Sequence, residues 1–97
     1  MDNWITLNKA GLRNGRFKIA SKMDFFQCDR IIVKVNEGHI IFTKPDISYQ
    51  GKSLKLIKAN NSDVWKQTMI TDERLVEGKF EINEDDFNED ELFMYFK

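Results

Sequence analysis

Residues 15–19 read GRFKI and residues 78–82 read GKFEI, and this recurrence indicates a repeated strand-forming unit. In each stretch a glycine precedes a basic residue, a phenylalanine, a charged residue and an isoleucine, so polar and apolar side chains alternate. Alternation at period two is typical of a strand with one buried face. We therefore predict that Phe17 and Phe80 are equivalent core residues in two copies of one unit.

The two stretches are flanked by residues of the same type at the same spacing. Trp4 precedes Asp29 by 25 residues, and Trp65 precedes Asp90 by 25 residues. A β-forming run follows each aspartate, RIIVKV in the first copy and ELFMYF in the second. A repeated unit that cannot bury its apolar face alone implies two halves that close on a shared core.

Each copy is predicted to have the order β–β–short α–β. Ser21 is expected to cap the first helix by accepting from the Asp24 amide, and Asn83 with Asp86 repeats that pattern. The predicted fold is mainly β: a small single-domain barrel over residues 1–97, with repeat one at about 4–35, a linking hairpin segment at about 36–64 and repeat two at about 65–96. The predicted strands cover residues 4–7, 16–20, 30–35, 39–44, 47–49, 53–59, 65–70, 79–82 and 91–96.

The first copy resembles the cradle-loop barrel group, which includes the RIFT barrels, the double-psi barrels and the swapped-hairpin regulators of the AbrB type. The residues that show the resemblance are 15–19, Cys28-Asp29, 36–38 and 39–42, and a weaker similarity covers 65–96. It implies a barrel, and basic residues that contact DNA. The chain departs from the pattern because no proline follows Ile19, the helix is short, and Cys28 or Glu89 replaces the glycine of a Gly-Asp turn.

Composition narrows the class of protein. The chain has one cysteine and no apolar run of about 18 residues, so we predict no internal disulfide and no membrane contact. These features favour a cytoplasmic location. The net charge of −1 conceals a gradient, because residues 1–34 hold seven Lys/Arg and three Asp/Glu whereas residues 71–97 hold three and ten.

No motif of an enzyme stands out. The single thiol, Cys28, and the single imidazole, His39, are predicted to lie about 23 Å apart along a hairpin, too far for a nucleophilic pair. An acidic loop that starts at Asp86 fails the calcium-binding pattern, because Glu91 stands where glycine is required. We therefore predict a protein that is not an enzyme and has no catalytic residues, metal site or cofactor.

The C-terminal strand carries the first functional hypothesis. Its alternation predicts that Phe93 and Tyr95 point outward, where the central segment at about 45–64 covers them or they form a contact surface. The acidic run beside them would repel indiscriminate partners and attract basic ones. This favours an adaptor or inhibitor that binds another protein, with a homodimer as a further alternative. The predicted contact residues are Asp85, Asp86, Glu89, Phe93 and Tyr95.

The basic N-terminal half carries the alternative hypothesis, a small DNA-binding transcriptional regulator. Lysine and arginine side chains on a strand and its loops are suited to contact phosphates, although they are also ordinary on a solvated strand face. The second copy weakens this reading, since the basic Lys18 is matched by Glu81. The predicted DNA contacts are Lys9, Arg13, Arg16, Lys18 and Lys22.

Overall fold

A computed structural model describes residues 3–45, 51–59 and 62–97. The predicted strand at 47–49 lies outside these residues. In the described part, two 3₁₀ turns cover Asp24–Phe26 and Glu84–Asp86. The strands are β1 (Trp4–Lys9), β2 (Arg16–Ser21), β3 (Arg30–Asn36), β4 (His39–Thr43), β5 (Lys52–Lys55), β6 (Ile57–Lys58), β7 (Lys66–Thr71), β8 (Gly78–Glu81) and β9 (Glu91–Tyr95).

The strands form two antiparallel sheets, and the protein is mainly β as predicted. One sheet has five strands in the order β6-β7-β2-β1-β8, and the other has four in the order β5-β3-β4-β9. The order of two strands, a 3₁₀ turn and a third strand occurs twice, as β1, β2, the first turn and β3, and as β7, β8, the second turn and β9. Strands from the two ends of the chain also pair with each other, β2 with β7 and β1 with β8.

The alternation of GRFKI determines which side of β2 is buried. Phe17 and Ile19 are buried in the core, whereas Arg16 is exposed and Lys18 is half-buried. The third strands behave in the same way, since Ile31, Val33, Leu92 and Met94 are all buried. Their side chains belong to one apolar cluster that also includes residues of both sheets and of the first 3₁₀ turn.

The predicted closure into a barrel is not found in the described part of the chain. The edges of one sheet are β6 and β8, those of the other are β5 and β9, and no ladder of the described strands joins these edges. The strand β6 is added to β7 through the pairs Ile57–Gln67 and Lys58–Lys66. The predicted strand at 53–59 is therefore two strands, one in each sheet. Between them Leu56 is buried, and its N–H donates to Asp29 O at 2.8 Å.

The predicted short α-helices are single 3₁₀ turns. Ser21 does not accept from the Asp24 amide, because its Oγ accepts from Met23 N–H at 3.1 Å and donates to Trp4 O at 2.8 Å. Each turn contains three residues, too few for the i→i−4 hydrogen bonds of an α-helix. Each turn follows two strands in the chain and precedes a third.

Candidate functional site

The outward row of β9 is the structural basis of the first hypothesis. Glu91, Phe93 and Tyr95 alternate with the fully buried Leu92 and Met94, as the sequence predicts. Tyr95 is 55% exposed, and Phe93 is half-buried. The strand thus presents aromatic side chains outside the core while it contributes aliphatic ones to it.

His39 joins these two rings. It begins β4 and pairs directly with Tyr95, so that its ring centroid lies 5.6 Å from that of Tyr95. The His39 and Phe93 rings are stacked, with centroids 6.5 Å apart and planes at 22°. We call His39, Phe93 and Tyr95 the aromatic patch. The sequence did not predict the contribution of His39, because it depends on β4 pairing with β9.

The backbone of β9 is open beside the aromatic patch. Lys44 N–H donates to Asp90 O at 3.0 Å, and Phe96 N–H donates to Gly38 O at 2.9 Å. Because hydrogen-bonded pairs alternate along an antiparallel ladder, the N–H and C=O of Tyr95 point away from β4. Among the described strands β9 pairs with β4 alone, but an isolated bridge from Phe87 to Leu92 covers the start of its other edge. The free part of this edge is therefore the Tyr95 end.

The acidic residues lie at the opposite end of β9. Asp85 and Glu89 are exposed and Asp86 is half-buried, in or after the second 3₁₀ turn. Asn88 Oδ1 accepts from the N–H of Asp90 and of Glu91, which fixes the turn into the strand. Four residues of strand, about 13 Å, separate Glu91 from Tyr95. The structure therefore does not bring the acidic side chains and Tyr95 into one contact site.

An aromatic cavity adjoins the acidic run. It has a volume of about 410 Å³ and is lined by Asp24, Phe25, Lys44, Phe87, Asn88 and Glu89. Lys44 Nζ lies 4.3 Å from the Phe25 ring centroid, donates to Phe25 O, and is 3.6 Å from Cys28 Sγ. The rings provide an apolar interior, and the carboxylates provide negative charge at its rim.

The lone thiol and imidazole are in separate environments. Cys28 Sγ lies 3.2 Å from Arg30 O and beside Lys44, whereas His39 stacks on the rings of β9. In the described ranges, no group of three or more His, Cys, Asp or Glu side chains is arranged to hold a metal ion.

The structure divides the predicted DNA contacts between a sheet face and a hairpin tip. Arg16 and Lys18 lie on the outer face of β2, and Lys22 follows with its Nζ 4.9 Å from the Trp4 ring centroid. Lys9 ends β1, and Arg13 is exposed in the following loop beside the fully exposed Leu12. Trp4 was not among the predicted contacts.

Acidic groups of the loop between β7 and β8 lie against the tip of the β1–β2 hairpin. Lys9 N–H donates to the Glu77 carboxylate at 3.1 Å, and Asp72 N–H donates to Gly15 O at 2.7 Å. Hydrogen bonds from the Arg74 side chain hold the pKa of Asp72 below its ordinary value, and the same contact raises the pKa of Arg74. The tip is therefore a mixed-charge surface and not a purely basic one.

No protein-family model, curated protein or solved structure matches the chain. In the described part of the chain, the helical segments are too short to cross a membrane.

Proposed function

We propose that the protein is a non-enzymatic interaction module, of the adaptor or inhibitor type, which binds an extended basic segment of another protein. The observation that carries this proposal is the aromatic patch on the outer face of an edge strand, with Tyr95 more than half exposed. An open edge can add a strand of a partner through backbone hydrogen bonds, while side-chain pockets provide specificity. Exposed aromatic side chains are typical anchors of protein interfaces.

The charge of this region favours a basic partner over a second copy. Residues 71–97 hold ten Asp/Glu and three Lys/Arg, so two copies that meet at β9 would bring two negative regions together. A Lys- or Arg-rich segment would instead be attracted at the acidic end and reach the aromatic patch along the strand. The cavity between Phe25 and Phe87 is suited to an apolar side chain of such a segment.

A peptide-display experiment tests the proposal directly. We expect a random peptide library panned against the intact protein to yield extended sequences in which Lys or Arg accompanies aromatic or β-branched residues. Sedimentation of the protein alone tests the alternative of a homodimer. Failure to enrich any peptide, or enrichment of acidic sequences, would contradict the proposed partner chemistry.

Replacing Tyr95 by alanine is expected to weaken the binding of a selected peptide by about 1–2 kcal/mol or more, as for interface aromatics. Because Tyr95 is exposed, the free energy of unfolding should change little. Phe93→Ala should weaken binding as well, but its stacking on His39 means that stability also falls. Calorimetry of binding and denaturant unfolding of the same variants separate these effects.

Val76→Ala is the matched control, since Val76 is an exposed apolar residue in the loop before β8. It should leave peptide binding unchanged. If Tyr95→Ala unfolds the protein while each folded molecule binds as before, Tyr95 belongs to the core and the proposed surface does not exist.

Neutralising Asp85, Asp86 and Glu89 to the corresponding amides should slow association with a basic peptide and reduce its dependence on salt. The reason is that these side chains lie away from the aromatic patch and act through long-range attraction. Stopped-flow association rates at several salt concentrations measure the effect. A control with Asp63, Glu73 and Glu81 changed to amides has the same net charge. An equal decrease of the association rate in that control would show that only the total charge matters.

A further inference from the structure

The outer face of the five-stranded sheet is a second surface with binding chemistry. Thr6 on β1 pairs with Ala20 on β2 and with Lys79 on β8, and Ala20 pairs with Gln67 on β7. Residues paired directly across antiparallel strands project to the same side, so these side chains share one face. We call this surface the tryptophan face; its principal residues are Trp4, Arg16, Lys18, Trp65, Gln67 and Lys79.

Two tryptophans lie on this face. Their ring centroids are 6.5 Å apart, with the planes inclined at 55°. The Trp4 ring is held by Lys22 Nζ and Lys79 Nζ, at 4.9 Å and 3.9 Å from its centroid. Trp65 instead lines a cavity of about 270 Å³ with polar neighbours that include Lys18 and Gln67. A ring beside hydrogen-bonding side chains is suited to stack on a nucleobase.

The charge of the face complements a phosphate backbone. Arg16 and Lys18 follow one another on the outer side of β2, and Lys79 approaches from β8. Of the described residues at outward positions of this sheet, Glu81 is the only acid. Positive side chains along a strand, interleaved with aromatic rings, are the combination that tracks single-stranded nucleic acid.

The shape of the face argues against duplex DNA as its ligand. A DNA groove admits a helix or a two-stranded ribbon, but the face spans several adjacent strands, and a duplex keeps its base faces stacked away from Trp65. We propose that the tryptophan face binds single-stranded nucleic acid, with a base against Trp65 and phosphates along Arg16, Lys18 and Lys79. This site is separate from the aromatic patch of the other sheet.

The experiment measures fluorescence anisotropy of labelled oligothymidylate, oligouridylate and a mixed-sequence duplex with the full chain, from low to physiological salt. Both single strands should bind more tightly than the duplex. A difference in affinity between oligothymidylate and oligouridylate would identify DNA or RNA as the preferred ligand. Three or four phosphate contacts predict a slope of log K against log salt of about −2 to −3. Trp65→Ala should weaken binding about 5- to 150-fold and leave this slope unchanged.

Charge variants give an independent readout. Arg16→Gln with Lys18→Gln should flatten the slope by about 1.4, from two lost phosphate contacts. The matched control, Arg30→Gln with Lys55→Gln, removes the same charge from exposed, paired positions of β3 and β5 in the other sheet and should leave the slope nearly unchanged. If Trp65→Ala fails to fold, Trp65→Phe replaces it and should retain binding within about fivefold, because the aromatic face remains.

Several results would overturn the proposal: no binding of either single strand at low salt, equal or tighter binding of the duplex, or equal flattening of the slope by the control pair Arg30→Gln with Lys55→Gln. Equal binding of an oligoglutamate peptide would also overturn it, since it would show a general polyanion surface. Tyr95→Ala should not alter oligonucleotide binding, which keeps this outcome distinct from failure of the protein-binding function.

Discussion

Replacing Phe26 by alanine is expected to lower the free energy of unfolding by about 3–5 kcal/mol, the range for a fully buried phenylalanine. Phe26 lies in the first 3₁₀ turn and is completely buried. Its ring packs edge-to-face on Phe42 of β4, with centroids 5.2 Å apart, and also contacts Phe25 at 5.9 Å. The alanine variant would leave a cavity where the turn after β2 meets the four-stranded sheet.

Phe87 provides the matched comparison, because it precedes Asp90 by three residues as Phe26 precedes Asp29. It follows the second 3₁₀ turn, whereas Phe26 is the last residue of the first. It is only half-buried and lines the open cavity beside Glu89. Phe87→Ala should therefore cost less than half as much as Phe26→Ala. Urea denaturation of both variants, with a common slope, measures the difference. Equal decreases in the free energy of unfolding would mean that Phe26 and Phe87 stabilise the fold equally, contrary to the observed burial.

Much of the strand pattern can be predicted from the sequence, because the alternation of apolar and polar side chains along one strand is a local property. Alternation alone assigns Phe17 and Ile19 to the core and Phe93 and Tyr95 to the outside, and the structure agrees. No pairing between distant strands is needed for that assignment, since successive side chains of any strand point to opposite faces. The outward positions of two of the five residues in the first functional hypothesis could thus be predicted from the sequence.

The pairing of distant strands could not be predicted in this way. His39 contacts Tyr95 only because β4 separates β3 from β9, and nothing local to His39 indicates that order. The tryptophan face has the same origin, since Trp4 meets Lys79 through the pairing of β1 with β8. The division of residues 53–59 between two sheets also depends on a distant contact, the pairing of β6 with the edge of β7.

The resemblance to cradle-loop barrels rests on sequence features alone. The open edges created by β6 on β7 and by β8 on β1 distinguish the observed sheets from a closed barrel. DNA contact by the basic residues therefore stays a prediction of the resemblance. The single-strand proposal depends instead on the position of Trp65 beside Lys18 and Gln67.

Replacing Phe17 by alanine is also expected to cost about 3–5 kcal/mol of unfolding free energy. Phe17 is 3% exposed, and its strand is paired on both sides, with Phe17 facing Lys9 on β1 and Ile70 on β7. The sequence predicts the same cost for Phe80, its equivalent in the second copy. The structure places Phe80 half-buried on the edge strand β8, where its ring packs close to Gly78.

We therefore expect Phe80→Ala to cost clearly less than Phe17→Ala, because an edge position leaves the ring fewer buried contacts to lose and more room to relax. Denaturant unfolding of the two variants decides between equal and unequal copies. A loss below about 1 kcal/mol for Phe17→Ala would show that the alignment of the copies misplaces the core. Equal large losses would mean that β8 is covered as fully as β2. The tryptophan face would then need revision, since its residues on β1, β2 and β8 are assigned by the same pairing that leaves β8 at the edge.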